Sequence, residues 1–331
     1  MPNWGEILKE LRKLGQNLAN SKPPSKKSPF DITRRKYLKL LNNYTGRNTI
    51  LYASKWTQVS NVPPEILMIN EEDIQGFMTV ISGLKGDKLD IILHSSGGSP
   101  TATEALVLYL RLKFNHIRII IPYAAMSAGT MLACSADEII MGKHSFLGPT
   151  DPQMTFQIGN MRRSNPAHAI IEQFKQAKEE CIIDPKNIRV WMPIIQSYAP
   201  ALLIECENAI GLSKELVRKW LKTYMFKEKG DEAEKIAAEI SSRLSDHNLY
   251  KSHGRHIGIK EAKDFGLEIK ELEEDQTLQD LVLSIFHATT HSFDATAAVK
   301  IIENHLGNAF IKQSRKFVIP VQQPPIPKKQ P

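Results

Sequence analysis

Two short segments of this 331-residue chain carry groups whose types and spacing point to chemistry. They are Leu93-His94-Ser95-Ser96-Gly97-Gly98-Ser99-Pro100 and Ala125-Met126-Ser127-Ala128-Gly129-Thr130. Each follows a short β-rich apolar run (Leu89 to Leu93 and Ile117 to Ile121) and opens onto a helix-like stretch (Thr101 to Phe114 and Ala128 to Ala136). Two parallel strands ending side by side would therefore present backbone N–H groups from a Gly-Gly turn beside a serine at a helix N-terminus. There the helix dipole and unpaired amides favour negative charge. A nucleophilic hydroxyl beside a preformed oxyanion hole is the equipment of acyl transfer. Serine is also an ordinary N-cap residue. The small residues Ala124, Ala125, Ala128 and Gly129 favour the catalytic assignment, because they clear space for a carbonyl beside Ser127. The amides of Gly97 or Gly98, with that of Ala128, are the candidate oxyanion donors.

The elements around these segments alternate. Helical spacing covers Trp4 to Asn20, followed by a Pro/Ser/Lys linker from Ser21 to Ser28, and Asp31 is placed to cap a helix from Ile32 to Asn42. Asn48 to Ala53 predicts a strand, Ile69 to Ser82 a helix capped by Asn70, and Asp137 to Met141 a further strand. Gly142 to Pro149 is a turn-rich loop. Strand–helix alternation implies right-handed crossovers and a mainly parallel sheet, so the fold class is α/β. Beyond Asp151 the pattern becomes helical: Pro166 to Cys181, Asn187 to Lys229 with breaks at Pro193 and Pro200, Glu232 to Leu244, and Lys260 to Phe265. A short strand is expected at Gly266 to Ile269, then closing helices at Gln276 to Thr290 and Ala295 to Asn304. The Pro- and Gln-rich stretch Phe317 to Pro331 has the composition of a disordered tail. The divisions expected are an N-terminal arm and linker (1–45), a catalytic domain (46–275), C-terminal helices (276–316) and the tail (317–331).

Composition sets the outer limits. The net charge of +7 is concentrated in terminal lysines and arginines, which suits solvated tails, and no nucleic-acid-binding motif accompanies it. Three cysteines without CxxC spacing suit free thiols in a reducing compartment. No apolar run reaches the roughly 18–20 residues of a membrane span. The charged start from Met1 to Gly15 does not resemble a secretory signal, so the expected location is the cytoplasm. The histidines lack paired-ligand spacing, and neither a P-loop nor a GxGxxG turn occurs, so no metal or cofactor is expected.

Three stretches together resemble a known family. They are KLDIILHSSGG from Lys88 to Gly98, AAMSAGT from Ala124 to Thr130, and ADEIIMG from Ala136 continuing into LGPTDPQ from Leu147 to Gln153. A later HGRHIGIKEAKDFGL from His253 to Leu267 fits the same pattern, as do Arg34 to Leu38 and Thr45 to Asn48. The chain resembles the serine dehydrogenase proteinases, relatives of signal peptide peptidase A within the Clp protease/crotonase superfamily. Where many relatives have Ser-Pro-Gly-Gly, this chain has Ser95-Ser96-Gly97-Gly98, which keeps the amide donors. The resemblance implies a Clp protease/crotonase-like fold (a ββα superhelix) and a serine endopeptidase working through an acyl-enzyme on Ser127. It also implies assembly into a homo-oligomer and peptide or unfolded-protein substrates. The amphipathic, basic-flanked N-terminal helix leaves room for a peripheral membrane contact.

The general base stays open at this stage. Clp proteases supply a histidine in the region of Gly148-Pro149, where this chain has none; signal peptide peptidase relatives use a lysine, in some of them at the start of the following helix. His168 stands there in this chain, with Lys175 and Lys178 further along; His144 and His253 are the other candidates. Asp151, held between prolines in the Gly148–Gln153 loop, is placed to orient a base. His94, at a strand end, fits a structural role. A fold relative acting on acyl-thioesters, or a non-catalytic scaffold that lost its base, are the alternative readings.

Overall fold

In the computed structural model, which describes residues 3–314 apart from 24, 59–60 and 159–160, the alternation builds one central sheet. Helices α1 (Trp4–Asn20) and α2 (Pro29–Thr45) precede β1 (Asn48–Ser54). Next come α3 (Pro64–Leu67), α4 (Glu72–Ile81), β2 (Lys88–His94), α5 (Pro100–Arg111), β3 (His116–Ile121), β4 (Ala124–Ala125) and α6 (Ala128–Cys134). Strands β5 (Glu138–Met141) and β6 (Phe146–Leu147) lead to a hairpin of β7 (Gln153–Ile158) and β8 (Met161–Pro166). Helices α7 (Ala167–Ile183), α8 (Ile188–Ile195), α9 (Leu202–Thr223), α10 (Glu232–Leu244) and α11 (His247–Tyr250) follow. The chain then forms β9 (Ile257–Gly258), α12 (Ile259–Asp264), β10 (Ile269–Glu271), α13 (Gln276–Ala295), β11 (Ala298–Asn304) and β12 (Ala309–Gln313). Among the described residues, no helix is long and apolar enough to cross a membrane.

The central sheet has the order β10-β5-β3-β2-β1-β11-β12. The strands from β10 to β1 are parallel, while β11 and β12 add an antiparallel edge. The parallel strands read as continuous apolar runs because both faces are covered. One face packs Ile91, Ile119 and Ile139 against α4, α5, α6, α9 and α10; the other packs Leu51, Ile92 and Ile120 against α2 and α13.

Several expectations from the sequence are corrected. Residues from Ala298 to Asn304 form a strand, not a helix. Lys300 and Glu303 are both buried and ion-paired there, and the β-branched Val299, Ile301 and Ile302 suit the pleat. Of the stretch 276–316 expected to form C-terminal helices, Gln276–Ala295 is the helix α13, while β11 and β12 complete the central sheet. Helix α4 starts at Glu72 and not at Ile69, because Ile69 is held extended beside Gly98. The α2 cap is Ser28, whose hydroxyl accepts the Asp31 N–H at 3.3 Å, with Pro29 at the first turn. Pro193 lies inside α8, and the break falls after it, near Pro200 and Ala201. The β7–β8 hairpin was not foreseen. The tail expected at 317–331 lies outside the described residues.

A buried ionic knot ties α2 to the sheet. Arg34 pairs with Glu303 of β11, and its other nitrogens donate to Ser292 Oγ at 2.9 Å and Asp31 Oδ1 at 2.8 Å. Glu303 also accepts from Arg35 at 2.6 Å. We expect Arg34→Ala to lower unfolding free energy in urea by about 3 kcal/mol, the low end for breaking a buried pair, since Arg35 still neutralises Glu303.

At the end of β2, the buried His94 ring stacks on Trp56 (5.4 Å between centroids) and meets Phe286 edge-on at 5.1 Å. Burial pushes its pKa down to about 4, and burial does the same to nearby His287. A histidine held neutral binds fewer protons folded than unfolded, so its stabilisation is complete above about pH 6.5 and is lost as pH falls through 4. For His94 that is about 3 kcal/mol. Urea titrations at pH 7 and 4.5 should show wild type losing more stability on acidification than His94→Phe does.

Candidate active site

Ser127 sits at the junction of β4 and α6 with φ of 49° and ψ of −118°, a left-handed conformation costly for a residue with a Cβ. Its side chain makes no capping hydrogen bond, so the capping role that serine often plays at this position does not explain it. Ser127 itself is half-buried. As the first residue of α6, Ala128 has an N–H without an intrahelical acceptor.

The Gly97–Gly98 turn lies against this elbow. A Cβ on Gly97 would come within 2.6 Å of both Ser127 Cβ and the Met126 carbonyl oxygen, and 3.0 Å of the Ala128 nitrogen. Only glycine permits that approach, and its φ of +95° is also one that glycine favours. The other side of the turn is fixed by Ile69. The Ile69 N–H donates to the Gly97 carbonyl at 2.7 Å, and the Ile69 carbonyl accepts the Ser99 N–H at 2.9 Å. Pairing alternates along an extended chain, so the Gly98 N–H falls on the edge opposite Ile69. The Gly97 N–H, by contrast, is taken by Ser95 Oγ at 3.1 Å. The two glycines named from the sequence therefore differ: Gly98 offers an amide, and Gly97 offers room.

A second, three-stranded sheet of order β4-β6-β9 gathers the remaining groups. Strand β4 runs directly into Ser127, β6 leads into the Gly148–Asp151 loop, and β9 follows the loop that carries His253. Thr130 Oγ1 joins the first two: it lies 2.8 Å from the carbonyls of Ala125 and Gly148 and accepts the Gly148 N–H at 3.0 Å. The loop is further held where Ser213 Oγ donates to the Thr150 carbonyl at 2.7 Å. Asp151 is 2 % exposed, and one carboxylate oxygen lies 2.6 Å from His253 Nδ1. The other lies 3.1 Å from His247 Nδ1 and accepts from Gln153 Nε2 at 3.1 Å. An N–H on Nδ1 of each imidazole suits these contacts, because a carboxylate oxygen accepts.

The other candidates fall elsewhere. His168 does not bond to Asp151; its ring faces His247 at 6.1 Å between centroids. Lys175 and Lys178 are exposed, and Lys175 pairs with Glu172 at 2.9 Å. His144 Nε2 contacts the Pro122 carbonyl at 2.8 Å. His247 was missed from the sequence, since nothing in the polar stretch around it marks a loop that folds back onto Asp151. Among the described residues, no hydrogen bond joins Ser127 Oγ to a histidine or lysine, and such bonds commonly close only when substrate is bound. Cys134 is buried in α6, which pushes its thiol up to about 12 and leaves it unreactive.

The chain is 28% identical over 256 residues to an uncharacterized protein of Methanocaldococcus jannaschii, covering 76% of this chain and 79% of that one. A second uncharacterized protein of the same organism is 32% identical over 181 residues, 55% of this chain and 51% of its own length, so the chain spans about half of that relative. Among solved structures, a serine-to-alanine variant of the membrane-bound stomatin-specific protease 1510-N aligns with a TM-score of 0.35 at 16% identity, over 61% of this chain and 74% of that one. A family model matches residues 22–282, which contain the Ser127 elbow, the Gly97–Gly98 turn and the Asp151 loop, and on that match the chain belongs to the ClpP-like SDH-type serine proteinases.

Proposed function

We propose that this serine proteinase hydrolyses peptide bonds through an acyl-enzyme on Ser127. The observation that carries the reading is the junction itself. A strained, uncapped serine stands beside a glycine turn, and a carboxylate–histidine pair hangs from the same small sheet. Ser127 Oγ attacks the scissile carbonyl, and the N–H groups of Gly98 and Ala128 hold the tetrahedral oxyanion. His253, oriented by Asp151, takes the hydroxyl proton on Nε2 and returns it to the leaving amine. Water then hydrolyses the ester by the same route in reverse, so no cofactor enters. The shorter contact to Asp151 favours His253 as base over His247. His168, which is not bonded to Asp151 and lies beside Glu172, takes no part in the transfer.

The nucleophile is tested with a fluorophosphonate probe and mass spectrometry of the adduct. Wild type should be modified at Ser127, and Ser127→Ala should be unlabelled, folded and inactive on unstructured casein. Hydrolysis retained by a folded Ser127→Ala variant would sink the mechanism.

For the base, His253→Ala should lower kcat by about 10²–10⁴. Asp151→Asn should cause a loss of similar order through the wrong tautomer, with KM little changed. His247→Ala should cost less than about tenfold; a larger loss there than at His253 would reverse the assignment.

A further inference from the structure

Behind the Gly97–Gly98 turn lies a buried ion pair that the proposed reaction does not use. Lys300 of β11 and Asp73 in the first turn of α4 are both shielded from solvent, and Lys300 Nζ lies 2.8 and 2.9 Å from the two carboxylate oxygens. Each partner also binds main chain. Lys300 Nζ donates to the Met68 carbonyl at 2.7 Å, while Asp73 Oδ2 accepts the Asn70 N–H at 3.0 Å. The Tyr52 hydroxyl donates to the same oxygen at 2.7 Å. The two anchor points lie on either side of Ile69.

Ile69 is the residue that brackets Gly98, through its N–H on the Gly97 carbonyl and its carbonyl on the Ser99 N–H. The approach is close enough that a Cβ on Gly98 would overlap the Ile69 backbone. A displacement of Met68–Asn70 therefore cannot be absorbed between Ile69 and Gly98; it moves the turn. Stability alone does not call for ions here, since well-packed apolar residues of similar volume commonly fill such a site as well or better. An apolar pair would lack the directional bonds to Met68 and Asn70, and directional, charge-assisted bonds are what fix one backbone geometry.

We infer that Lys300, Asp73 and Tyr52 are positioning residues for the Gly98 amide. The buried pair clamps the Met68–Asn70 segment, and that segment aims the amide at the oxyanion position beside Ser127. The inference rests on the oxyanion-hole reading proposed above.

The test uses the full chain with Lys300→Met and Asp73→Leu combined, which refills the site without leaving a lone charge, and Tyr52→Phe as a milder variant. Leu278→Ala, in α13 on the opposite face of the sheet, serves as a control of comparable loss in Tm. Two quantities are read: hydrogen–deuterium exchange in peptides spanning 66–73 and 95–99, and the rate of fluorophosphonate labelling at Ser127. In the folded double variant we expect exchange in both segments to rise about tenfold and labelling to slow by about 10–10²-fold, near the loss of one oxyanion donor. Casein hydrolysis should lose kcat to a similar degree, with KM within about twofold, whereas the control should change neither exchange in these segments nor labelling. Tyr52→Phe should move the same readouts in the same direction by about two- to fivefold, and it decides the matter if the double variant does not fold. A folded variant with wild-type exchange and labelling overturns the inference. If wild type itself is not labelled, the peptidase reading fails, while the exchange data still decide whether the ion pair fixes the turn.

Discussion

Everything at this site depends on one close approach: the α-carbon of Gly97 pressed against the Ser127 elbow. Ser127 is held at positive φ, a conformation that costs on the order of 1–3 kcal/mol and persists only where the surroundings over-determine it. Here they do. The turn occupies the space beside the Ser127 Cβ, α6 begins at the next residue, and the Met126 N–H and carbonyl are bound to Ser95 and Gly129. In this conformation the Ser127 side chain does not cap the helix that follows it.

That elbow is supported by two sheets with different duties. The large parallel sheet ends β2 and β3 side by side and brings the glycine turn to the serine. The small β4-β6-β9 sheet joins the strand before Ser127 to the Asp151 loop and to the strand after His253. Its strands are only two residues long, so their register is fixed less by their own pairing than by bonds such as those of Thr130 to the Gly148 loop. Gly148 is under a softer constraint than Gly97: a Cβ there would meet the end of the flexible Met126 side chain at 2.5 Å, and the Met126 α-carbon only at 3.2 Å.

The last strands show how far the support reaches. In β11, Lys300 and Glu303 alternate with β-branched residues and point to partners that precede them by more than two hundred positions. One pair ties in the N-terminal helices and the other backs the glycine turn. The C-terminal strands of the described chain are therefore tied by buried ion pairs to α2 and α4 and are integral to the fold.

The alternation of β-branched runs with amphipathic stretches was enough to derive a mainly parallel α/β sheet, because burial on both faces leaves an unbroken apolar signature. Likewise, the Gly-Gly turn and the Met-Ser-Ala-Gly-Thr run marked Gly97, Gly98, Ser127 and Ala128, because those features follow from local backbone requirements. Asp151 and His253 could be named as candidates, but nothing local joined them. Their contact spans about a hundred residues and exists only because β6 and β9 pair. His247 was invisible for the same reason, and β11 was misread because two buried ions look like solvated ones until their partners are known. Local chemistry and periodicity are written in the sequence; which distant charge meets which is decided by the tertiary structure, because a buried charge finds its partner through space and not along the chain.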